Sequence, residues 1–331
     1  MSDLLSELLA EREYLIADGA TGTNLMRMGL PPGQAPDLWN LDRPENVSRN
    51  YESFIEVGAD IILTNTFGAN RCRLSLEQAQ DRAVEINEAG ARLACEAREK
   101  AGRPLVVAGS MGPTGEIMVP HGEMTREQAE EVFTEQAEAL VRGGVDVLWI
   151  ETVYAFEELA AAVASAARTG LPVVSTMTFD TAGHTMMGDS PEDAARFVQT
   201  LPTPLVAYGA NCGVGPATLV DAIRGFVRGG APGDVLIAKG NCGVPEMIDG
   251  EVVFKGDVDV MARYARLARD AGARIIGGCC GTAPEHLAAV VESLKGYEPG
   301  PSPDDEQIES ALGTIDRSAG KKKRGRSRRR G

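Results

Sequence analysis

Four of the six cysteines in this 331-residue chain stand where an apolar run gives way to a glycine-rich turn: Cys212 in GANCG, Cys242 in GNCG, and Cys279 and Cys280 in GGCC. Thiolates are soft ligands, and no His-x-His stands near them, so the metal they suit best is zinc. Three thiolates leave a coordination position open, as a catalytic zinc site needs, whereas four close the site as a structural one. The alternative reading of Cys279 and Cys280 is two small apolar side chains at a crowded strand end. Cys72 and Cys95 fall within helical stretches and read as buried side chains, while Cys242 stays open between ligand and core.

Two carboxylates, Asp18 and Glu151, also end apolar runs, as do Thr66, Ser110 and Asn211. Acids at such places cap helices, yet a pair of them at one mouth suits a substrate ammonium group. The turn Gly19-Ala20-Thr21-Gly22-Thr23 offers backbone N–H groups near a helix start, a setting for a carboxylate or phosphate. These features together suit a zwitterionic amino acid whose thiol reaches a metal.

For residues so distant in sequence to meet, the chain must bring many strand ends to one rim. From about Tyr14 to Leu294 a short branched or Leu-rich run, a polar turn and an amphipathic stretch repeat. Strands are expected at 14–18, 60–66, 104–110, 145–151, 171–179, 204–211, 234–241 and 273–279, with helices such as 44–59, 76–102 and 125–144 between them. Strands alternating with helices pair in parallel, and near-continuous apolar strands imply burial on both faces. Eight such units predict a single α/β (β/α)8 TIM barrel, with chemistry at the C-terminal strand ends. An open doubly wound sheet is the alternative. The barrel is expected to occupy residues 1–296. Residues 297–331, poor in apolar side chains, are expected to be a disordered acidic and then basic tail.

The net charge of −15 hides opposed parts. Of 33 Lys and Arg, eight lie in residues 321–331, so the other 25 face 48 Asp and Glu. An acidic body repels nucleic-acid phosphates. With no long apolar run and no secretory leader, the expectation is a cytoplasmic protein with no membrane partner, its oligomeric state open to a homo-oligomer.

The segments DGATGT (18–23), ILTNTFGAN (62–70), GSMGPTGE (109–116), GANCG (209–213) and GGCCGT (277–282) resemble the homocysteine S-methyltransferase family over roughly residues 12–295. That family includes betaine-homocysteine methyltransferases, S-methylmethionine-dependent enzymes and the homocysteine module of cobalamin-dependent methionine synthase. The resemblance implies a barrel with Zn2+ on Cys212, Cys279 and Cys280. It further implies homocysteine amino-group contacts from Asp18 and Glu151, with the 19–23 turn near the substrate carboxylate. The segments AKGNCGVPE (238–246) and DTAGHTMMGDSPED (180–193) look most like the bacterial betaine type, for which Trp39 is the expected aromatic wall of a cation cage. Gly68 stands where betaine-using relatives from animals carry Tyr.

The expected substrates are then homocysteine and a methyl donor, with glycine betaine first and a sulfonium donor second. A region for folate or cobalamin does not follow the matched segments, which argues against a complete methionine synthase. Other readings are a homocysteine-binding module serving a separate corrinoid protein, a zinc hydrolase, and a structural or nucleic-acid-binding protein. The hydrolase reading suffers because His121, His184 and His286 are scattered.

Overall fold

The computed structural model describes residues 3–317 except 244, 249, 250 and 255. Eight of its strands form one parallel sheet: β1 (Leu15–Ile16), β2 (Ile61–Leu63), β3 (Val106–Met111), β4 (Val147–Val153), β5 (Val173–Met177), β6 (Ala207–Cys212), β7 (Leu236–Gly240) and, after a hairpin, β10 (Ala273–Gly278). Neighbours pair in chain order, with β10 between β7 and β1. A parallel bridge between Ala17 and Ile61, with Asp18 N–H donating to Ile61 O at 2.9 Å, brings β1 back to β2. The result is a (β/α)8 barrel, as the eight alternating units predict.

Period-two alternation divides each strand between two cores. Leu15, Ile61, Val106, Val147, Trp149 and Ile237 share one apolar cluster, which fills the barrel. Ile16, Ile62, Val107, Leu148 and Leu236 belong to the larger cluster, packed beneath the surrounding helices. The inward alternation continues toward the strand ends, and there it meets polar residues: Ser110 after Ala108, Glu151 after Trp149, Lys239 after Ile237. Leu5, Leu8 and Leu9 of the helix Leu4–Glu11 join the interior cluster and stopper the opposite end.

The outer helices follow from local chemistry. The helix Arg126–Gly143 begins with a capping box in which Thr125 and Gln128 bond each other's backbone N–H. It ends at Gly144 with φ 98°, in the left-handed region that glycine adopts without strain. The helices expected over 44–59, 76–102 and 125–144 run over Pro44–Glu56, Ala83–Ala101 and Arg126–Gly143. No helix of the described residues is long and apolar enough to cross a membrane.

Two departures from the sequence reading stand out. An antiparallel hairpin, β8 (Pro245–Ile248) and β9 (Glu251–Phe254), interrupts the connection after β7. The expected disorder from 297 onward fails for residues 297–317. The helix Asp305–Leu312 packs with Ile308 fully buried and Ile315 6% exposed, and Asp316 N–H donates to Thr218 Oγ1 at 3.0 Å. Arg224 Nη1 meets Asp305 at 2.7 Å, and Arg317 pairs with both Asp221 and Asp305. Composition had suggested too little apolar surface, but two isoleucines and this ion-pair lattice suffice to dock the segment. The basic run of 321–331 lies outside the described residues.

Candidate active site

The strand ends open into a cavity of about 390 Å³, whose walls include Asp18 to Thr23, Met26, Pro36, Asp37, Asn65, Phe67, Ser110, Glu151, Thr152, Cys212, Lys239, Cys279 and Cys280. Cys212 closes β6, and Cys279 and Cys280 follow β10, with β7 between the two strands. Cys212 Sγ lies 2.8 Å from Cys279 Sγ and 3.7 Å from Cys280 Sγ. Among the described residues this trio is the only group of three or more metal-capable side chains whose ligand atoms converge, all within 4.8 Å. Sulfurs on a tetrahedral zinc with bonds near 2.3 Å stand about 3.8 Å apart. The Cys212–Cys280 spacing matches that edge, while Cys212 and Cys279 stand closer than it. Hydrogen bonds from Cys212 and Cys279 pull the Cys280 thiol down to about 4, and the bonds Cys212 makes to the other two push its own thiol up. The donor set therefore fits a soft divalent cation.

The local backbone explains the convergence. Cys212 has φ 58°, a left-handed conformation that costs a non-glycine residue free energy. Thr152, at the end of β4, has φ 62°. Asn211 ties the two together: its Oδ1 accepts from Thr152 N–H at 2.9 Å, and its Nδ2 donates to Thr152 Oγ1 at 2.7 Å and to Cys279 Sγ at 3.7 Å. The GG before the cysteine pair serves close approach. A Cβ on Gly277 would stand 2.6 Å from Ala17 O, and one on Gly278 would strike Thr282 at 2.3 Å.

Cys242 stands apart from the trio. It is buried, its thiol donates to Gly256 O at 3.3 Å, and burial pushes it up to about 11. Cys72 and Cys95 lie on helices, as expected, and Cys95 donates to Gly144 O at 3.1 Å.

The same cavity holds a buried charged cluster. Lys239 Nζ stands 2.5 Å from Asp18 Oδ1 and 5.7 Å from the centre of the Trp149 ring. Asp18 Oδ2 accepts from Leu63 N–H at 2.7 Å, so both of its oxygens are engaged. Glu151 Oε1 accepts from Ser110 Oγ at 2.5 Å, and burial pushes its carboxyl up to about 7 against the pull of Lys239. Thr66 is fully buried outside the cavity wall, bonding Ser110 O at 2.7 Å.

Sequence reading placed Lys239 at a strand end but gave it no role, although a lysine within the apolar run LIAKG was the available signal. It missed Asp37, a buried cavity residue that accepts from Gly68 N–H at 2.9 Å and is raised to about 6 by burial. Trp39, expected as a wall, is instead 6% exposed within the outer core and does not line the cavity. Its helix Trp39–Asp42 turns that ring inward, so Phe67 is the aromatic ring on the wall.

A profile of homocysteine S-methyltransferases matches residues 15–294. The chain belongs to the homocysteine S-methyltransferase family. Methionine synthase from Mycobacterium tuberculosis is 29% identical over 324 residues, covering 90% of this chain and 26% of that protein. The Mycobacterium leprae methionine synthase is 28% identical over 310 residues, covering 88% of this chain and 25% of its own length. This chain thus spans about a quarter of those relatives. The homocysteine methyltransferase MmuM from Escherichia coli superposes in its oxidized form with TM-score 0.71 at 26% identity, covering 88% of this chain and 99% of that one. Its metallated form superposes with TM-score 0.72 at 24% identity, covering 87% and 99%.

Proposed function

We propose that this protein transfers a methyl group from glycine betaine to the sulfur of homocysteine, giving methionine and dimethylglycine, with zinc held by Cys212, Cys279 and Cys280. The observation that carries the reading is the meeting of three cysteines in one cavity with Glu151 and the Asp18–Lys239 pair. When bound, zinc supplies Lewis-acid activation that lets the homocysteine sulfur react as a thiolate at neutral pH.

The chain's own residues then do the positioning. Glu151 offers its second oxygen to the substrate ammonium, while Ser110 holds the first. Lys239 balances Asp18 and fixes it as part of the floor. The turn from Gly19 to Thr23 lines the same cavity, and its N–H groups after Ala20, which itself donates to Thr282 O at 3.0 Å, serve the substrate carboxylate. Phe67, Met26 and Pro36, with the carboxylate of Asp37, make an apolar wall with one negative end, suited to a donor of fixed positive charge. The sulfur attacks the donor methyl in line; the new S–C bond forms as the N–C bond breaks, and its electron pair stays on the departing amine. No general acid is required, so catalysis rests on activation and alignment.

A donor panel tests this reading: homocysteine with glycine betaine, S-methylmethionine, dimethylsulfoniopropionate or methylcobalamin, scored for methionine. Methionine from betaine alone is the expected result. Turnover only with a sulfonium replaces the donor, and turnover only with a corrinoid carrier favours the module reading, to which the methionine synthase relatives lend support. A metal-free Cys280→Ala protein that retains turnover overturns the zinc assignment.

A further inference from the structure

Beside the reaction cavity lies a second groove of about 310 Å³, formed by the segments after β3, β4 and β5. Thr152 lines the first and Tyr154 the second, two positions apart on one strand end. The groove joins apolar and acidic character. Ile117, Val119, Met186 and Met187 stand 43–65% exposed along it. Glu116 and Glu157 are exposed on its walls, and neither joins an ion pair among the described residues. Glu158 also lines the groove yet is fully buried: its Oε1 accepts from Thr114 N–H at 2.8 Å and Thr114 Oγ1 at 2.7 Å, but its Oε2 has no hydrogen-bond partner. Against these three acids stand His121 and, at one end, the Arg73 guanidinium beside Gly115. That oxygen is sealed from the groove, so the acids open to a ligand there are Glu116 and Glu157.

The chain's own course supplies a candidate cationic partner for these two acids. At its last described residues, Asp316 O lies against Gly183, close enough to meet a Cβ there at 3.4 Å, and Met186 and Met187 follow three and four residues after Gly183. Four residues beyond Arg317 comes KKKRGRSRRR, with eight cations in ten positions. At most about 3.6 Å per residue puts Lys321 within about 14 Å of Arg317, and the end of the run within about 47 Å. We propose that the groove receives this basic run, Lys321–Arg330, in the same chain. Long Lys and Arg stems lie on the methionine and isoleucine surface, and their heads face Glu116 and Glu157. Another acidic surface, the outer face of the helix Arg126–Gly143, is partly neutralised by pairs of Arg126 and Arg168 with Glu130 and of Arg71 with Glu135.

Carbodiimide crosslinking of the full-length protein, read by peptide mass spectrometry, tests this directly. Amide bonds from Lys321, Lys322 or Lys323 to Glu116 or Glu157 are expected. Their yield should fall at least tenfold in 1 M salt, where the screening length is about 3 Å, and in the Glu116→Gln/Glu157→Gln double variant. Crosslinks confined to glutamates of the helix Arg126–Gly143, crosslinks only between molecules, or none at all would overturn the proposal. As a second measurement, hydrogen exchange in residues 115–121 and 181–189 should be slower in the full chain than in one ended at Arg317. Equal exchange in the two counts against it. Neither readout depends on methyl transfer, so the proposal stands or falls apart from the reaction assigned above.

Discussion

Lys239 and Asp18, 221 residues apart in sequence, meet at 2.5 Å in the cavity floor with side chains only 2% and 3% exposed. A buried pair of this kind is strongly destabilising when one partner is removed, because the other charge is left uncompensated. Lys239→Met is expected to cost about 3–5 kcal/mol in guanidinium denaturation, and adding Asp18→Asn should recover part of that loss. A single variant as stable as the parent would show that the pair is not held as described.

Acceptor binding is expected to depend on pH through Glu151. Burial raises its carboxyl from 4.5 to about 7 in the folded protein. Below about 4.5 both folded and unfolded chains hold the proton; between there and 7 only the folded chain does, so this group's contribution to stability fades as pH rises through 7. Binding of an ammonium group runs the other way and needs the ionised form. Norleucine, which has the amino-acid head of homocysteine without a thiol, should bind more tightly from pH 6 to pH 8 by calorimetry. Glu151→Gln should weaken that binding and flatten its pH dependence; an unchanged profile would remove Glu151 from the ammonium site.

Asn211 is expected to matter to the metal without touching it. Its side chain holds Thr152 and reaches Cys279, and its neighbour Cys212 carries the left-handed backbone. Loss of such supporting contacts typically weakens metal affinity about 10–100-fold. Chelator competition on Asn211→Ala should show a loss of that size, with the fold intact by circular dichroism. Cys212→Ala, Cys279→Ala and Cys280→Ala should each abolish stoichiometric zinc by elemental analysis, whereas Cys242→Ala should retain it.

The segment after the last barrel helix should be divisible by thermal melts. A chain ended at Arg317 keeps Ile308, Ile315 and the Arg224–Asp305 pair and should keep most of the full protein's melting temperature. A chain ended at 296 exposes the surface they cover and should melt lower. Ile308→Ala alone should cost about 2–5 kcal/mol, and indifference to it would mean the helix is not docked.

Much of this was legible because strand ends and cysteines are both local signals. Branched runs followed by glycine-rich turns located all eight barrel strands, and three consecutive strand ends on one rim then allowed Cys212 to approach Cys279 and Cys280. Lys239 escaped because a strand pattern assigns a residue to a face without revealing what stands across the barrel, and Asp18 is the first strand's contribution. Trp39 misled because ring chemistry gave no sign of which way a four-residue helix turns. Residues 297–317 misled because two isoleucines look sparse in composition but suffice when arginines and aspartates on the docking surface complete the seam. The hairpin of β8 and β9 sits in a stretch, after Cys242, that the repeating strand, turn and helix pattern leaves unassigned.

Among the described residues, the leucine stopper in the helix Leu4–Glu11 closes the far end of the barrel and leaves the rim as the way in. Whatever reacts over the three sulfurs must arrive and depart by the same rim. The molecule seated deepest therefore enters first, and the product formed there waits until the shallower one has gone. Traffic in such a vessel is ordered by depth alone, before any affinity is considered.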